Sequence, residues 1–381
     1  MQVRMTSCRD AVDSLRLMTP SAPSHKTRTL FRLAALLVFL YAFFVSIGLI
    51  SAAFKLAGKG FAQTLLQTTA DPVIALFIGI LATAIMQSSS TTTSIVVGLV
   101  AGGAISVHSA IPIIMGANVG TSVTNTIVSV GHIKRSAEFR RAFAAASVHD
   151  FFNLLAVAIL FPLEQVTGIL AYCAEEIEIF FVNLGGLTFT SPLKIITKPV
   201  VNGLANLVGD YGWILFIVAV ALLVTALLGL VRTLRMLVLD RVEAFFSRTI
   251  FRTAIRALVL GVLVTVAVQS SSITTSIIVP LAAAGVLTLE QIFPYTLGAN
   301  VGTTVTALLA SLATANPAAV TVAFVHLLFN VFGIVIIWPM RRVPLFLARW
   351  IAELTLKSRL VPLVYILLVF FVLPFVVYLL R

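Results

Sequence analysis

Gln87-Ser-Ser-Ser-Thr-Thr-Thr-Ser94 and Gln269-Ser-Ser-Ser-Ile-Thr-Thr-Ser276 are one polar string, met twice in an otherwise apolar chain. They sit inside a longer repeat. Residues 79–126 align without a gap onto residues 261–308, always 182 positions later, with about half the positions identical. Pro112 pairs with Pro294, and Gly116-Ala-Asn-Val-Gly-Thr121 pairs with Gly298-Ala-Asn-Val-Gly-Thr303. After a short shift of register, Val148-His-Asp-Phe-Phe-Asn153 pairs with Val325-His-Leu-Leu-Phe-Asn330. Unrelated apolar helices share Leu and Val by composition but not polar strings of this length, so the chain is a duplication.

Working outward, the apolar arms beside the first string, Pro72–Met86 and Thr91–Ile105, are about 15 residues each, short of the roughly 20 that cross a bilayer. The pair is expected to be a re-entrant hairpin over about 72–105, with a second hairpin over about 254–287. Between them lie three crossings: Ala110–Gly131, Ala142–Phe161 and Trp213–Val231. Three is odd, so the hairpins enter from opposite faces and the repeats are inverted.

Charge gives the same topology. The basic residues cluster between apolar blocks, at Lys26, Arg28 and Arg32, at Lys134, Arg135, Arg140 and Arg141, at Arg232, Arg235, Arg241, Arg248 and Arg252, and at Arg341, Arg342 and Arg349. By the crossing count all of these fall on one face, which the positive-inside bias makes cytoplasmic. Glu164, Glu175, Glu176 and Glu178 fall on the other face.

The expected order is a cytoplasmic segment 1–29, a first repeat 30–162 with a broken helix at about 110–131, and an extracytoplasmic loop 163–210. A second repeat 211–338 follows, with a broken helix at about 289–312, and then an interfacial helix and a last transmembrane helix in 339–381. Val231–Ser247 and Val343–Leu356 mix Arg with Leu, Phe and Trp, as helices in the headgroup layer do.

Composition agrees with this class. Of 381 residues, 60% are hydrophobic and 10% charged, and the mean hydropathy is +1.09. A soluble domain carries roughly a quarter charged residues. The chain is therefore expected to be an all-α protein of the lipid bilayer. The net charge of +12 comes from topology-setting clusters and not from a nucleic-acid surface, since no reading module or interleaved aromatic stripe accompanies it. Cys8 and Cys173, expected on opposite sides, make neither a disulfide framework nor a zinc site.

The polar strings define the chemistry. A hairpin tip leaves backbone N–H groups free at a helix N-terminus, where the helix dipole also favours an anion. Ser88, Ser89, Ser90, Ser270, Ser271 and Ser272 add hydroxyls, which suits a tetrahedral anion that takes many hydrogen bonds. The glycine-containing string interrupts an apolar span and suggests local unwinding. Thr121 and Thr124, like Thr303 and Thr306, are spaced i and i+3 on one face. With the amides of Asn118 and Asn300, these neutral oxygens suit a hard monovalent cation such as sodium. His149 with Asn153 and His326 with Asn330, at i and i+4, are expected to orient neighbouring helices. A hydrolase using Ser with His149 or His326 is the least favoured alternative, because a duplicated serine run gives no unique nucleophile and no ordered base. No G-x-x-x-x-G-K-[ST] loop is present to use ATP. From the donor array alone the anion stays open: phosphate, another oxyanion or a small carboxylate.

These strings, in this order and in both copies, resemble the type II sodium-dependent phosphate cotransporters, most closely the compact bacterial members. The resemblance runs from the first span to Leu373-Pro374 and includes Glu138-Phe-Arg-Arg-Ala-Phe143 and Leu193-Lys-Ile-Ile-Thr197. It implies sodium-coupled symport of inorganic phosphate across a cell membrane, with sodium as coupling ion, no other cofactor and no enzymatic step. It implies phosphate contacts at the tip serines and a sodium site at Gln269, Ser270, Thr303 and Thr306, which the repeat extends to Gln87. Electrogenic animal members also use an intramembrane Asp in the first repeat. No acidic residue occurs here between Asp71 and Glu138, so that further cation site is not expected.

Overall fold

A computed structural model describes residues 25–56, 67–121, 123–183, 192–209, 211–245, 251 and 253–379. The expected N-terminal segment up to residue 24, with Cys8, and the basic residues Arg248 and Arg252 lie outside the described residues.

The described chain is helical, without a strand. The first copy holds α1 (His25–Leu56), α2 (Pro72–Met86), α3 (Ser89–Ala101), α4 (Val107–Gly120), α5 (Val123–Val130) and α6 (Ser136–Thr167). Next come α7 (Ile169–Phe181) and α8 (Pro192–Val208). The second copy holds α9 (Gly212–Phe245), α10 (Ala254–Val268), α11 (Ser271–Ala283), α12 (Leu289–Thr314) and α13 (Pro317–Ile337). Then α14 (Arg342–Lys357) and α15 (Val361–Ile366) lead through a π-helical stretch, Leu367–Val372, into α16 (Leu373–Leu379). Pro374 removes a backbone donor just after the π stretch, a local cause for the altered winding.

Among the described residues, six helices are long and apolar enough to cross a membrane. They expose large apolar side chains outward, such as Phe31 at 75% and Val335 at 65%, which water would penalise and lipid does not. This is an all-α membrane protein. The arms α2, α3, α10 and α11 have 15, 13, 15 and 13 residues. At 1.5 Å per residue they reach about 20–22 Å, less than the ~30 Å hydrocarbon thickness.

Local signals fix where these helices begin. Asp71 caps α2 by accepting from Val73 N and Ile74 N, ahead of Pro72 at the first helical position. Thr288 and Gln291 form a capping box at α12, and Asn316 caps α13 ahead of Pro317.

Helices α1 and α9 pack closely and run antiparallel. Arg32 Nη1 donates to Met236 O near one end, Gly229 faces the Phe39 ring in the middle, and Phe54 meets Phe216 at the other end. Their shared core contains Phe43, Ile47, Ile50, Leu223 and Leu227. A second core joins α6, α12, α13 and α14 through Phe143, Phe152, Phe293, Phe329 and Ile351.

Three expectations need correction. The glycine strings do not unwind their spans. Gly116 and Gly120 both lie within α4. The second span, α12, is continuous through Gly298 and Gly302. These glycines instead allow contact between backbones. A Cβ on Gly116 would collide with Leu76 O, one on Gly79 with Ile113 O, one on Gly298 with Leu258 O, and one on Gly261 with Tyr295 O. Small residues at such spacing let membrane helices approach closely. Next, the stretch 163–210 is not merely a loop. Helix α6 runs on to Thr167, and α7 and α8 follow, with α8 packed on α1. Last, no separate helix starts at Val231, because α9 continues to Phe245.

Candidate functional site

Each polar string folds as the tip of a helical hairpin, and the two tips share one geometry. Gln87 and Gln269 end their first arms in the left-handed conformation, with φ 54° and 57°. That conformation is uncommon for a residue with a Cβ and reverses the chain in one step. Ser88 and Ser270 then cap the second arms. Ser88 Oγ accepts from Thr91 N at 3.2 Å, and Ser270 Oγ accepts from Ile273 N at 3.3 Å.

The cap uses the third helical N–H in each arm and leaves those of Ser89, Ser90, Ser271 and Ser272 at the open helix ends. All four side chains are buried, at 4–9% exposure, and none makes a side-chain hydrogen bond to another described residue. Each tip therefore offers two backbone donors, two hydroxyls and the positive end of a helix. Ser88 and Ser270 are tied into their caps and still have their own hydroxyl protons to donate.

The glutamines connect each tip to the following span. Gln87 Nε2 donates to Ala84 O, and Gln269 Nε2 donates to Val266 O at 2.7 Å, so each amide satisfies a carbonyl left over at the end of its first arm. The opposite end of the amide accepts. Thr124 Oγ1 donates to Gln87 Oε1 at 2.9 Å, and Thr306 Oγ1 donates to Gln269 Oε1 at 2.9 Å. Thr121 and Thr303 share their helical face but turn their hydroxyls back to Ala117 O and Ala299 O, at 3.1 and 3.0 Å. Each copy thus brings its Gln together with one threonine of the expected pair and leaves the other bonded within its own helix.

Asn118 and Asn300 occupy a different environment from the one expected of cation ligands. Asn118 Oδ1 accepts from Asn330 Nδ2 at 3.1 Å and lies 3.3 Å from His326 Nε2. Asn300 pairs with His149 through Oδ1 and donates from Nδ2 to Asn153 Oδ1 at 2.8 Å. Asn153 Nδ2 donates to Asn118 O at 2.9 Å. This buried network joins the His-Asn helices, α6 and α13, to the glycine-containing spans of the opposite copies, and α6 also to the span of its own copy. Asp150, which Leu327 replaces in the second copy, is buried against Tyr365 of α15.

Two residues given no site role from the sequence brace the second hairpin. Asn125 Oδ1 accepts from Thr275 Oγ1 at 2.9 Å and from Ser276 Oγ at 3.3 Å, which ties α5 to the second hairpin. Ala307 replaces it in the other copy, so a search for repeated residues could not find it. Arg141 donates to Ala283 O, the last carbonyl of α11, from Nε at 2.8 Å and from Nη2 at 2.5 Å. Its place beside Arg140 gave it only a topological reading.

Residues 42–196 and 218–372 each match the Na+/Pi-cotransporter family. The chain is 36% identical to sodium-dependent phosphate transport protein 2A of Ovis aries, over 92% of this chain and 68% of that protein. It is 34% identical to the 2A protein of Rattus norvegicus, over 92% and 67%. It is 32% identical to sodium-dependent phosphate transport protein 2B of Homo sapiens, over 91% and 65%. No solved structure matches it.

Proposed function

Because the chain belongs to the Na+/Pi-cotransporter family, we propose that it carries inorganic phosphate into the cell together with sodium ions, as a symporter working by alternating access. The observation that carries this reading is the matched Gln–Thr pair at two serine tips with open helix ends. Phosphate is held by the free N–H groups and hydroxyls of Ser89 and Ser90 from one tip and of Ser271 and Ser272 from the other, with Ser88 and Ser270 donating from their caps. Backbone donors fixed by a helix need no reorganisation when the anion arrives.

Sodium sits where Gln269 Oε1 and Thr306 Oγ1 already lie 2.9 Å apart, with Ser270 alongside, and in the equivalent place at Gln87 and Thr124. Two neutral oxygens that share a proton in the empty state become ligands once the ion displaces that hydrogen bond. Thr121 and Thr303 contribute from the same face by rotating away from their own helix. Asn118 and Asn300 act through their cross-copy bonds and shape the spans that carry these threonines. Cations bound beside a multiply charged anion reduce the net charge that must cross the membrane.

The antiparallel packing of α1 and α9, which begin the two copies, supports an inverted arrangement. The short hairpin arms support re-entrant entry from opposite faces. In this topology the N-terminal segment and the basic loops are cytoplasmic, and α7 and α8 face outside the cell membrane. Alternating access then consists of exchanging which hairpin closes over the ligands.

The test is uptake of labelled phosphate by vesicles containing the purified chain, with an inward sodium gradient or the same gradient of choline. Accumulation with sodium alone is expected, and equal uptake in choline would overturn the reading. Arsenate should compete well and sulfate poorly, since sulfate at neutral pH has no proton to give a buried acceptor.

A further inference from the structure

Two polar cavities lie at the opposite ends of α12. One, of about 370 Å3, is lined by Arg140, Arg141, Arg349, Glu290 and Glu353, near the start of the helix. The other, of about 420 Å3, lies near its end, where Lys55, Lys198, Thr197, Asn202, Ser51 and Asn316 contribute to the wall. A helix of 26 residues is about 39 Å long, so the cavities open toward opposite faces of the membrane. In the proposed topology the arginine cavity is cytoplasmic and the lysine cavity is external.

The cavities occupy related places in the two copies. Arg141 binds Ala283 O at the end of the second arm of the second hairpin. In the lysine cavity Asn316 Nδ2 binds Ala101 O, the matching carbonyl of the first hairpin, at 3.2 Å. Ala101 and Ala283 are 182 positions apart, the register of the repeat. Each cavity is therefore the mouth beside one hairpin.

Their charges differ. In the arginine mouth, Arg140 pairs with Glu353 at 2.6 Å, Arg349 pairs with Glu290, and Arg141 is bonded to backbone. In the lysine mouth both ammonium groups belong to exposed residues, and among the described residues neither has a carboxylate within ion-pair distance. The wall adds neutral hydroxyl and amide donors. The volume would hold on the order of ten waters at about 30 Å3 each, which is room for a hydrated oxyanion. The far end of α3, about 20 Å away along its 13 residues, carries Ser89 and Ser90.

We propose that the cavity between Lys55 and Lys198 is an external capture site, which concentrates a phosphate-type oxyanion at the mouth of the first hairpin before it reaches the serine tips. This rests on the phosphate-transport reading. A lipid headgroup offers the same phosphate chemistry. The cavity's position against Ala101 and Asn316, the elements that frame the hairpin, assigns it to the free anion. Two positive charges in a recess raise the local anion concentration and the rate of encounter, and salt screens the effect.

The experiment measures the KM for phosphate at one saturating sodium concentration, with ionic strength raised by choline chloride. It compares the unmodified chain, the Lys55→Gln/Lys198→Gln variant and the Lys55→Arg/Lys198→Arg variant. Each is reconstituted in neutral phosphatidylcholine vesicles and in vesicles containing anionic phosphatidylglycerol. The glutamine variant should raise KM about three- to tenfold at low ionic strength in both lipids, with the effect on KM and not on the maximal rate. The difference should narrow as choline chloride is added, and the arginine variant should stay close to the unmodified chain. An unaltered KM in neutral vesicles overturns the proposal, as does an effect seen only with phosphatidylglycerol, which would make a lipid headgroup the occupant. If the unmodified chain shows no sodium-driven phosphate uptake, the functional reading itself fails. If it is active and KM is flat across the variants, only the capture site fails.

Discussion

Thr306 and Ser271 differ in what their hydroxyls meet: one is bonded to an amide oxygen, the other sits at an open helix end. Thr306→Val keeps the volume and removes the oxygen beside Gln269 Oε1. Losing one neutral ligand from a buried site should cost on the order of 1–3 kcal/mol, roughly a ten- to hundredfold rise in the sodium required. Apparent phosphate affinity should then fall at low sodium and recover at high sodium, because linked ligands report each other's occupancy. Ser271→Ala should weaken phosphate binding with much less rescue. Phosphate uptake across a sodium series in both variants decides the matter, and rescue of both alike, or of neither, would sink the division into anion tips and cation pairs. The sequence made the Gln–Thr partners legible through the resemblance, but not the separate behaviour of Thr303. Spacing of i and i+3 puts two threonines on one face, whereas a helical threonine can also turn its hydroxyl to the carbonyl four residues back. The engagement of Asn118 and Asn300 was hidden for another reason. The His and Asn side chains that their own side chains meet lie on the opposite copy, 147 to 212 positions away, and no local pattern encodes that pairing.

At the scale of elements, the glycine strings show how one pattern supports two structures. Two glycines in an apolar span can mark unwinding, or they can mark a seam where backbones touch. Gly116 with Gly120 and Gly298 with Gly302 are each four residues apart, as in a packed seam. The deciding sign is the third glycine of each copy, Gly79 or Gly261, which opens the aligned segment and faces the same seam from the hairpin arm. Gly298→Ala should therefore force its Cβ against Leu258 O, and backbone cannot give way as a side-chain tip can. Overpacking of this kind costs about 1–3 kcal/mol. The thermal midpoint of the detergent-purified variant should drop, while Gly203→Ala in α8, where a Cβ meets nothing within 4 Å, should hold or rise slightly. Equal midpoints for the two variants would mean that the seam tolerates a methyl group and that the glycines serve another purpose. Helices α7 and α8 escaped the sequence reading because α8 carries Lys194, Lys198, Pro199 and two asparagines, a composition that resembles a loop until one face is packed on α1.

For the whole molecule, the proposal depends on direction. If α1 leaves the cytoplasm, the crossings at α4–α5 and α6 bring the chain back in and out again, and α9 must then run inward, opposite to α1. That is the sense in which the two helices pack, from Arg32 beside Met236 to Phe54 beside Phe216. A same-facing duplication would need an odd number of crossings between α1 and α9, and these two helices would then run parallel. Crossing parity predicts the same antiparallel sense from the sequence, because it depends on counting and not on contact. Thiol labelling reads directly both the crossing of α6 and which face is cytoplasmic. In a Cys8→Ser background, Lys134→Cys places a thiol at an exposed position between α5 and α6, while native Cys173 stays half-buried on α7. A membrane-impermeant maleimide added to intact cells should modify Cys173 and spare the thiol at position 134. Inverted membrane vesicles should give the reverse, and denatured protein should be labelled at both. Because α6 alone separates the two positions, labelling of both from the same side would mean that α6 does not cross. The parity between the hairpins would then be even, and one shared site approached by two opposed serine tips would be lost with it.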